Sequence, residues 1–356
     1  MLDLAAPLLA RIRSGARVAV VTVTRVARSA PRGLGASMAV TTHGEVIGSI
    51  SGGCVEGDAV VLAHAVLADG VARTARFGFD DDTAHAAGLA CGGQVDVIAY
   101  VVDPADIRSV DALRRAADGE AVSVGIALAD GRLVDAGDLA DPAGFDAAAL
   151  LAETRVVSGP EPVLVVSRAP RPRLVLAGAT EHAAALCRIA SAAGFAVTVV
   201  DPWELLVTRE RFPDADELVV ALPHEHLARR ADLDPRTAVC VLTHDTRLDV
   251  PAIRVALDLP IGFVGALGAR TTVARRAELL REEGVADDDL ARLRSPLGLD
   301  LGGSTPEETA VSIVAEILAA RHGGTGRPLR ALGGPIHRDR PVAEACARRI
   351  DETRPT

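Results

Sequence analysis

Aromatic residues are scarce in this chain: eight in 356, six Phe together with Trp203 and Tyr100. That is too few for a base-stacking platform. A basic excess is missing too. Forty-eight acids stand against 38 bases, a formal net charge of −10, whereas nucleic acid asks for a basic face. There is no long unbroken apolar run. The longest candidate, Ala183 to Val200, is interrupted by Arg188 and Gly194 and reads as helix, turn and strand, not as a membrane span. Residues Met1 to Pro7 hold an acid and no base ahead of a short apolar run, which is not the pattern of a secretory signal. The five cysteines (Cys54, Cys91, Cys187, Cys240 and Cys346) include no CxxC pair. An odd count of that kind makes no disulfide framework and suits a reducing cytosol. The expectation is a cytoplasmic protein with neither nucleic acid nor membrane as partner.

What is present predicts two domains. The length exceeds one ordinary domain, and 49% hydrophobic residues are enough for two cores. The N-terminal half opens with a helix. Strands follow at Val18–Thr24, Ser37–Thr41 and Val46–Ile50, the last two joined as a hairpin through Thr42-His43-Gly44-Glu45. A helix over about Val55–Leu67, a strand near Thr74–Phe79 and a buried strand Val95–Val102 come next, and further helix and strand reach Val166. The Pro- and Arg-rich segment 167–173 reads as a linker.

From Leu174 the pattern turns regular. Apolar strands at Leu174–Ala177, Val197–Val200, Leu218–Ala221, Val239–Thr243 and Ile261–Val264 alternate with helical segments. Such alternation builds a parallel sheet covered on both faces. Thr305, Pro306 and Glu308 predict the N-cap, first turn and capping box of a final helix lined by Ala310, Ile313, Val314 and Ile317. The expected class is α/β: a mixed α+β domain over 1–166, then a Rossmann-type doubly wound sheet over 174–322 and a loosely packed tail over 323–356.

The first turn of that sheet has the shape of a dinucleotide site without its glycines. Gly178-Ala179-Thr180-Glu181 follows the strand, and Asp201 ends the next strand where a ribose-binding carboxylate would sit. Thr180 puts a side chain where pyrophosphate must approach the backbone. Glu181 brings an acid to the helix N-terminus, where it is expected to take the anion site itself. NAD(P) is therefore not expected. Other polar groups end neighbouring strands: His244 and Asp245, then the loop Gly265-Ala266-Leu267-Gly268-Ala269-Arg270, then Pro296 to Asp300. His224-Glu225-His226 looks metal-like but has no third partner nearby, and an exposed polar loop is expected there.

The N-terminal half carries two glycine-flanked cysteines. In Ser51-Gly52-Gly53-Cys54-Val55-Glu56 the glycines permit a tight turn with exposed N–H groups, and Cys54 is expected at a helix N-terminus. A thiolate there suits a nucleophile, a persulfide carrier or a soft metal ligand. Arg32, in Ser29-Ala30-Pro31-Arg32-Gly33, offers a cation for a phosphate. Cys91 in Gly88-Leu89-Ala90-Cys91-Gly92-Gly93 repeats the pattern at a strand edge. Cys187, Cys240 and Cys346 have no such setting and read as structural.

These runs resemble the XdhC/CoxI family of xanthine dehydrogenase accessory proteins, which mature molybdenum hydroxylases. The likeness extends through Val199 to Pro202, Leu242 to Asp245, Gly265 to Arg270 and Pro296 to Glu316, from about residue 16 to 321. The resemblance implies a chaperone that binds the molybdenum cofactor in its molybdopterin form. It would support sulfuration by a cysteine desulfurase and deliver the cofactor to an apo-enzyme of the xanthine dehydrogenase type, acting as a homodimer and an accessory protein more than a catalyst. Cofactor contacts would fall at Arg32, Ser51, Gly52, Gly53, Cys54, Glu56, Cys91, Gly92 and Gly93, with Cys54 and Cys91 as metal ligands. Further contacts would fall at Asp201, His244, Asp245, Gly265, Gly268 and Arg270. The family's usual Gly-Ala-Gly-His is here Gly178-Ala179-Thr180-Glu181, and its Arg after the Asp-Pro is Trp203. The competing reading is an NAD(P)-dependent oxidoreductase built on Asp201, His244 and the glycine loop. A third is an interaction protein whose cysteines are inert core.

Overall fold

The computed structural model describes residues 1–27, 31–78, 94–140 and 142–333, so Cys91, Gly92 and Gly93, and most of the expected tail, lie outside the described residues. The chain divides into two compact units, Met1–Pro170 and a second beginning at Arg171.

In the first unit, helix α1 (Ala5–Arg13) precedes strands β1 (Val18–Ala27), β2 (Ser37–Thr41) and β3 (Val46–Gly48). Helix α2 (Glu56–Asp69) and strands β4 (Arg73–Gly78) and β5 (Gln94–Val102) follow. The strands form an antiparallel sheet in the order β3-β2-β1-β5-β4. β1 is rich in β-branched residues, which fit a pleated surface buried on both sides. Its Val18 and Val20 enter one core and its Ala19, Val21 and Val23 another. Helix α2 closes the second core through Ala59, Ala63 and Val66. The β2–β3 hairpin forms as expected, with Gly44 donating to the Thr41 carbonyl at 2.9 Å. β3 ends at Gly48 and not at Ile50, because residues 49–53 curl around the side chain of Glu56.

The remainder of this unit contains helix α3 (Ile107–Ala117), strands β6 (Val122–Ala127) and β7 (Leu133–Val134), helix α4 (Ala143–Leu151) and strands β8 (Arg155–Val157) and β9 (Val163–Arg168). They add a second antiparallel sheet, ordered β7-β6-β9-β8. Ser167 and Arg168, read as linker from the sequence, continue β9 by pairing with Ser123 and Val122.

The second unit runs β10 (Arg173–Ala177), α5 (Glu181–Ala192), β11 (Ala196–Asp201), β12 (Glu217–Val220), α6 (Pro223–Arg229), β13 (Ala238–Val241) and α7 (Thr246–Asp258). It ends with β14 (Phe263–Ala266), α8 (Arg270–Glu282), α9 (Asp287–Leu290), β15 (Leu293–Arg294) and α10 (Pro306–His322). All six strands are parallel, in the order β12-β11-β10-β13-β14-β15. Counted within the unit this is 3-2-1-4-5-6, the Rossmann order, which places a crevice at the carboxyl ends of β10 and β13. α5 and α10 cover one face of the sheet; α6, α7 and α8 cover the other. The Thr305–Glu308 capping box that starts α10 is present as expected. β14 begins and ends two residues later than the sequence suggested, so Gly265 belongs to a strand and not to a loop. A Cβ there would lie 2.4 Å from Leu297 Cδ1. Its smallness makes room for that side chain. Among the described residues no helix is long and apolar enough to cross a membrane.

Candidate functional site

The turn before α2 is organised by one carboxylate. Glu56, the first residue of α2, folds back over the turn and accepts from the Ser49 hydroxyl at 2.6 Å and from the N–H groups of Ser51 at 2.9 Å, Gly52 at 3.0 Å, Gly53 at 2.8 Å and Val55 at 3.2 Å. The Ser51 hydroxyl also donates to it. The same hydroxyl oxygen accepts from Cys54 and Val55 N–H, at 3.0 and 3.1 Å. Gly52 and Gly53 adopt φ of +82° and +122°, left-handed backbone that favours glycine. Burial raises the Glu56 pKa, but the hydrogen bonds from Ser49 and Ser51 outweigh it and hold the group at about 2.

Two expectations change here. Cys54 does not open the helix; it precedes the N-cap Val55. Nor are the N–H groups of Gly52 and Gly53 presented to a pterin phosphate. They already donate to Glu56, whose negative charge repels a second anion. What the turn does present is the exposed thiol of Cys54. Arg32 is exposed on its own turn. Cys187 and Cys240, by contrast, are buried. Burial pushes the Cys187 thiol up to about 11 and raises that of Cys240 as well, the behaviour of packing residues.

At the Rossmann edge the polar groups are also engaged internally. Gly178 has φ of +113°, and a Cβ there would lie 2.6 Å from Thr243 Cγ2. Glycine lets the turns after β10 and β13 approach each other. Asp201 is 5% exposed, and its two oxygens accept from Ala179 N–H and Trp203 N–H, each at 2.9 Å. The carboxylate that stands where a ribose-binding group would sit therefore ties two turns together. Thr180 caps α5 by accepting from Ala183 N–H at 3.2 Å. Glu181, expected on the helix N-terminus, pairs sideways with Arg211 at 3.0 Å. Asp245 caps α7 and binds the Arg247 guanidinium. Gly268 (φ +157°) lies beside Arg276, while His244 and Arg270 are exposed.

Beneath this edge lies a cluster that sequence reasoning missed. Asp249 and Arg276 form an ion pair at 2.8 Å whose side chains are only 2% and 4% exposed. Arg276 also donates to the Leu267 carbonyl at 2.9 Å and the Ser295 hydroxyl at 3.2 Å, and the Thr243 hydroxyl donates to Asp249. The one signal in the sequence was an acid placed between the buried positions of α7, but its partner lies 27 residues away on α8.

His224 and His226 stand on the short helix α6, not in a loop, and His224 Nδ1 and His226 Nε2 are buried without a hydrogen-bond partner. Among the described residues no group of three His, Cys, Asp or Glu could hold a metal ion. Burial lowers the His226 pKa below its usual 6.5, and Arg230 adds to this against the opposing Glu217 and Asp232. The unfolded chain then takes up the proton first. The stability His226 allows is complete above about pH 6.5 and falls as pH drops through the depressed folded value. Denaturation midpoints measured from pH 7.5 to 5.5 should therefore decline, and His226→Leu should flatten that slope. An unchanged slope would remove His226 as its source.

Comparison with known proteins agrees with this architecture. Residues 174–317 match the family model of the XdhC Rossmann domain and residues 11–78 that of the XdhC and CoxI family. The uncharacterized protein YqeB of Escherichia coli (strain K12) is 34% identical over 156 residues, 44% of this chain. The chain spans only 28% of YqeB. A probable xanthine dehydrogenase subunit from Bacillus subtilis (strain 168) is 30% identical over 312 residues, 84% of this chain and 92% of that protein. The molybdenum cofactor insertion chaperone PaoD of Escherichia coli (strain K12) is 26% identical over 87% of this chain and 85% of its own length. A crystal structure described as a xanthine dehydrogenase from Bacillus halodurans shares the fold, with a TM-score of 0.58 and 24% identity over 89% of this chain and 95% of that one. The Rossmann strand order, the turn at Cys54 and these matches together show that the chain belongs to the XdhC and CoxI family.

Proposed function

We propose that this chain is an accessory protein of a xanthine dehydrogenase-type molybdenum hydroxylase. In this reading the molybdenum cofactor, in its molybdopterin form, is cargo: the chain holds it during sulfuration by a cysteine desulfurase and passes it to the apo-enzyme. The chain would work in the cytoplasm as a homodimer. Support comes from the relatives, one named for cofactor insertion and one for a part of xanthine dehydrogenase.

One observation carries the chemistry. The Cys54 thiol is exposed on a turn whose backbone is held by hydrogen bonds, and the space beside Gly52 and Gly53 is open. A thiolate there is a soft ligand for the metal, with Cys91, beside Gly92 and Gly93, as its second. Arg32 serves the pterin phosphate as a bidentate donor. The glycine N–H groups do not, since Glu56 holds them.

The test is the molybdenum and pterin content of protein purified from cofactor-competent cells. Wild type should carry both, and Cys54→Ala should carry at least tenfold less, while Cys187→Ala retains the wild-type content. Equal content in wild type and Cys54→Ala would defeat the assignment of Cys54.

A further inference from the structure

We propose that Glu56 acts on the cargo only through Cys54, as the positioning residue that fixes the turn presenting the thiol. The inference rests on the reading that Cys54 holds the cofactor.

The ends of the turn are anchored by Ile50 and Val55, both buried in the core beneath α2, and Gly52 N–H also donates to the Ser49 hydroxyl at 2.8 Å. The two glycines between those ends have no packing of their own. A Cβ at either Gly52 or Gly53 would meet nothing within 4 Å, so neither glycine is packed in place. Glycine also loses more conformational freedom on ordering than any other residue. Six donations converge instead on one side chain. Glu56 Oε1 accepts from Ser49 Oγ, Ser51 N–H and Gly52 N–H. Oε2 accepts from Ser51 Oγ, Gly53 N–H and Val55 N–H. A carboxylate has about four lone-pair sites, so six donors leave none for a metal or a pterin. Every donor comes from residues 49–55, the segment that contains Cys54. Ser51 completes the arrangement by accepting from Cys54 N–H itself.

A thiol held on an ordered turn binds without the cost of ordering that turn at each encounter, which is how preorganisation raises affinity. Removing Glu56 leaves Cys54 in the chain and removes its fixed place.

The experiment is a double-mutant cycle on affinity for the isolated molybdenum cofactor, read by equilibrium dialysis with metal and pterin assays. Glu56→Gln should weaken binding at least tenfold in the wild-type chain and less than twofold in a Cys54→Ala chain, because an effect routed through the thiol vanishes with it. Equal losses in both backgrounds would overturn the proposal and make Glu56 a direct ligand or a general support. Amide exchange supplies the second readout. In Glu56→Gln the N–H groups of Gly52, Gly53 and Val55 should exchange at least tenfold faster while those of Ala63 and Val66 in α2 keep their protection. Loss of protection along α2 would also overturn it. Should Cys54→Ala bind the cofactor as wild type does, the reading of Cys54 fails, and the exchange measurement still shows whether Glu56 holds the turn.

Discussion

Replacing Arg276 with methionine is expected to destabilise the second unit by about 3–5 kcal/mol, the usual loss when one partner of a buried ion pair is removed. The geometry explains the size. Among the described residues Arg276 alone donates a charged hydrogen bond to Asp249, at 2.8 Å, and both side chains are almost fully enclosed. It also joins α8 to the loop carbonyl of Leu267 and to Ser295, whose hydroxyl donates to Ala266. Without the guanidinium, an acid remains buried with the Thr243 hydroxyl as its main support.

The pH dependence gives a second check. Burial already raises the Asp249 pKa despite Thr243 and Arg276. In the variant it should rise further, so the folded state binds the proton that the unfolded state has released. Stability then falls as pH rises above the ordinary carboxylate range, and the loss should be larger at pH 8 than at pH 5. Urea denaturation followed by the fluorescence of Trp203, the single tryptophan, measures both. The double replacement Asp249→Leu/Arg276→Met should recover most of the loss, because buried ion pairs are often matched by apolar groups of similar volume. A loss below about 1 kcal/mol in Arg276→Met would show that the pair contributes little.

That cluster also marks where sequence reading stops. The parallel sheet was legible because five apolar strands alternate with helices, and α10 because its capping box is a local pattern that needs only Thr305 and Glu308. The glycines before Cys54 announced a turn for the same local reason. The filling of the turn was not legible. It depends on a single rotamer that brings Glu56 back over Ser49 to Val55, and the sequence alone leaves that carboxylate equally free to face solvent or a ligand. The β6–β9 sheet escaped for a different reason. β7 and β8 are two and three residues long, and the Ser123–Ser167 contact joins positions 44 residues apart, beyond the reach of any periodicity. Gly265 was misplaced because a glycine beside a strand end reads as loop, whereas here it yields space to Leu297.

Asp201 is the position at which the two functional readings make opposite demands. In a nicotinamide enzyme its carboxylate would be a ligand group, and removing it would abolish cofactor binding while leaving the fold nearly intact. Here each oxygen accepts one backbone N–H, from Ala179 and from Trp203, at 5% exposure. Hydrogen bonds to a charged group contribute about 1.5–3 kcal/mol each. Asp201→Ala should accordingly cost about 3–4 kcal/mol, the lower part of the combined range, since water can partly satisfy Trp203 N–H. Asp201→Asn, which keeps one oxygen acceptor, should lose about half as much. Calorimetry should detect no NAD binding to wild type or to either variant, because Thr180 caps the helix where pyrophosphate would approach the backbone. Wild-type binding of NAD that disappears in a stably folded Asp201→Ala would reverse the assignment and make the crevice of the second unit a nucleotide site. A large loss of stability with no nucleotide binding in any variant would leave Asp201 as the clasp between the turns after β10 and β11, and would leave cofactor handling to the first unit.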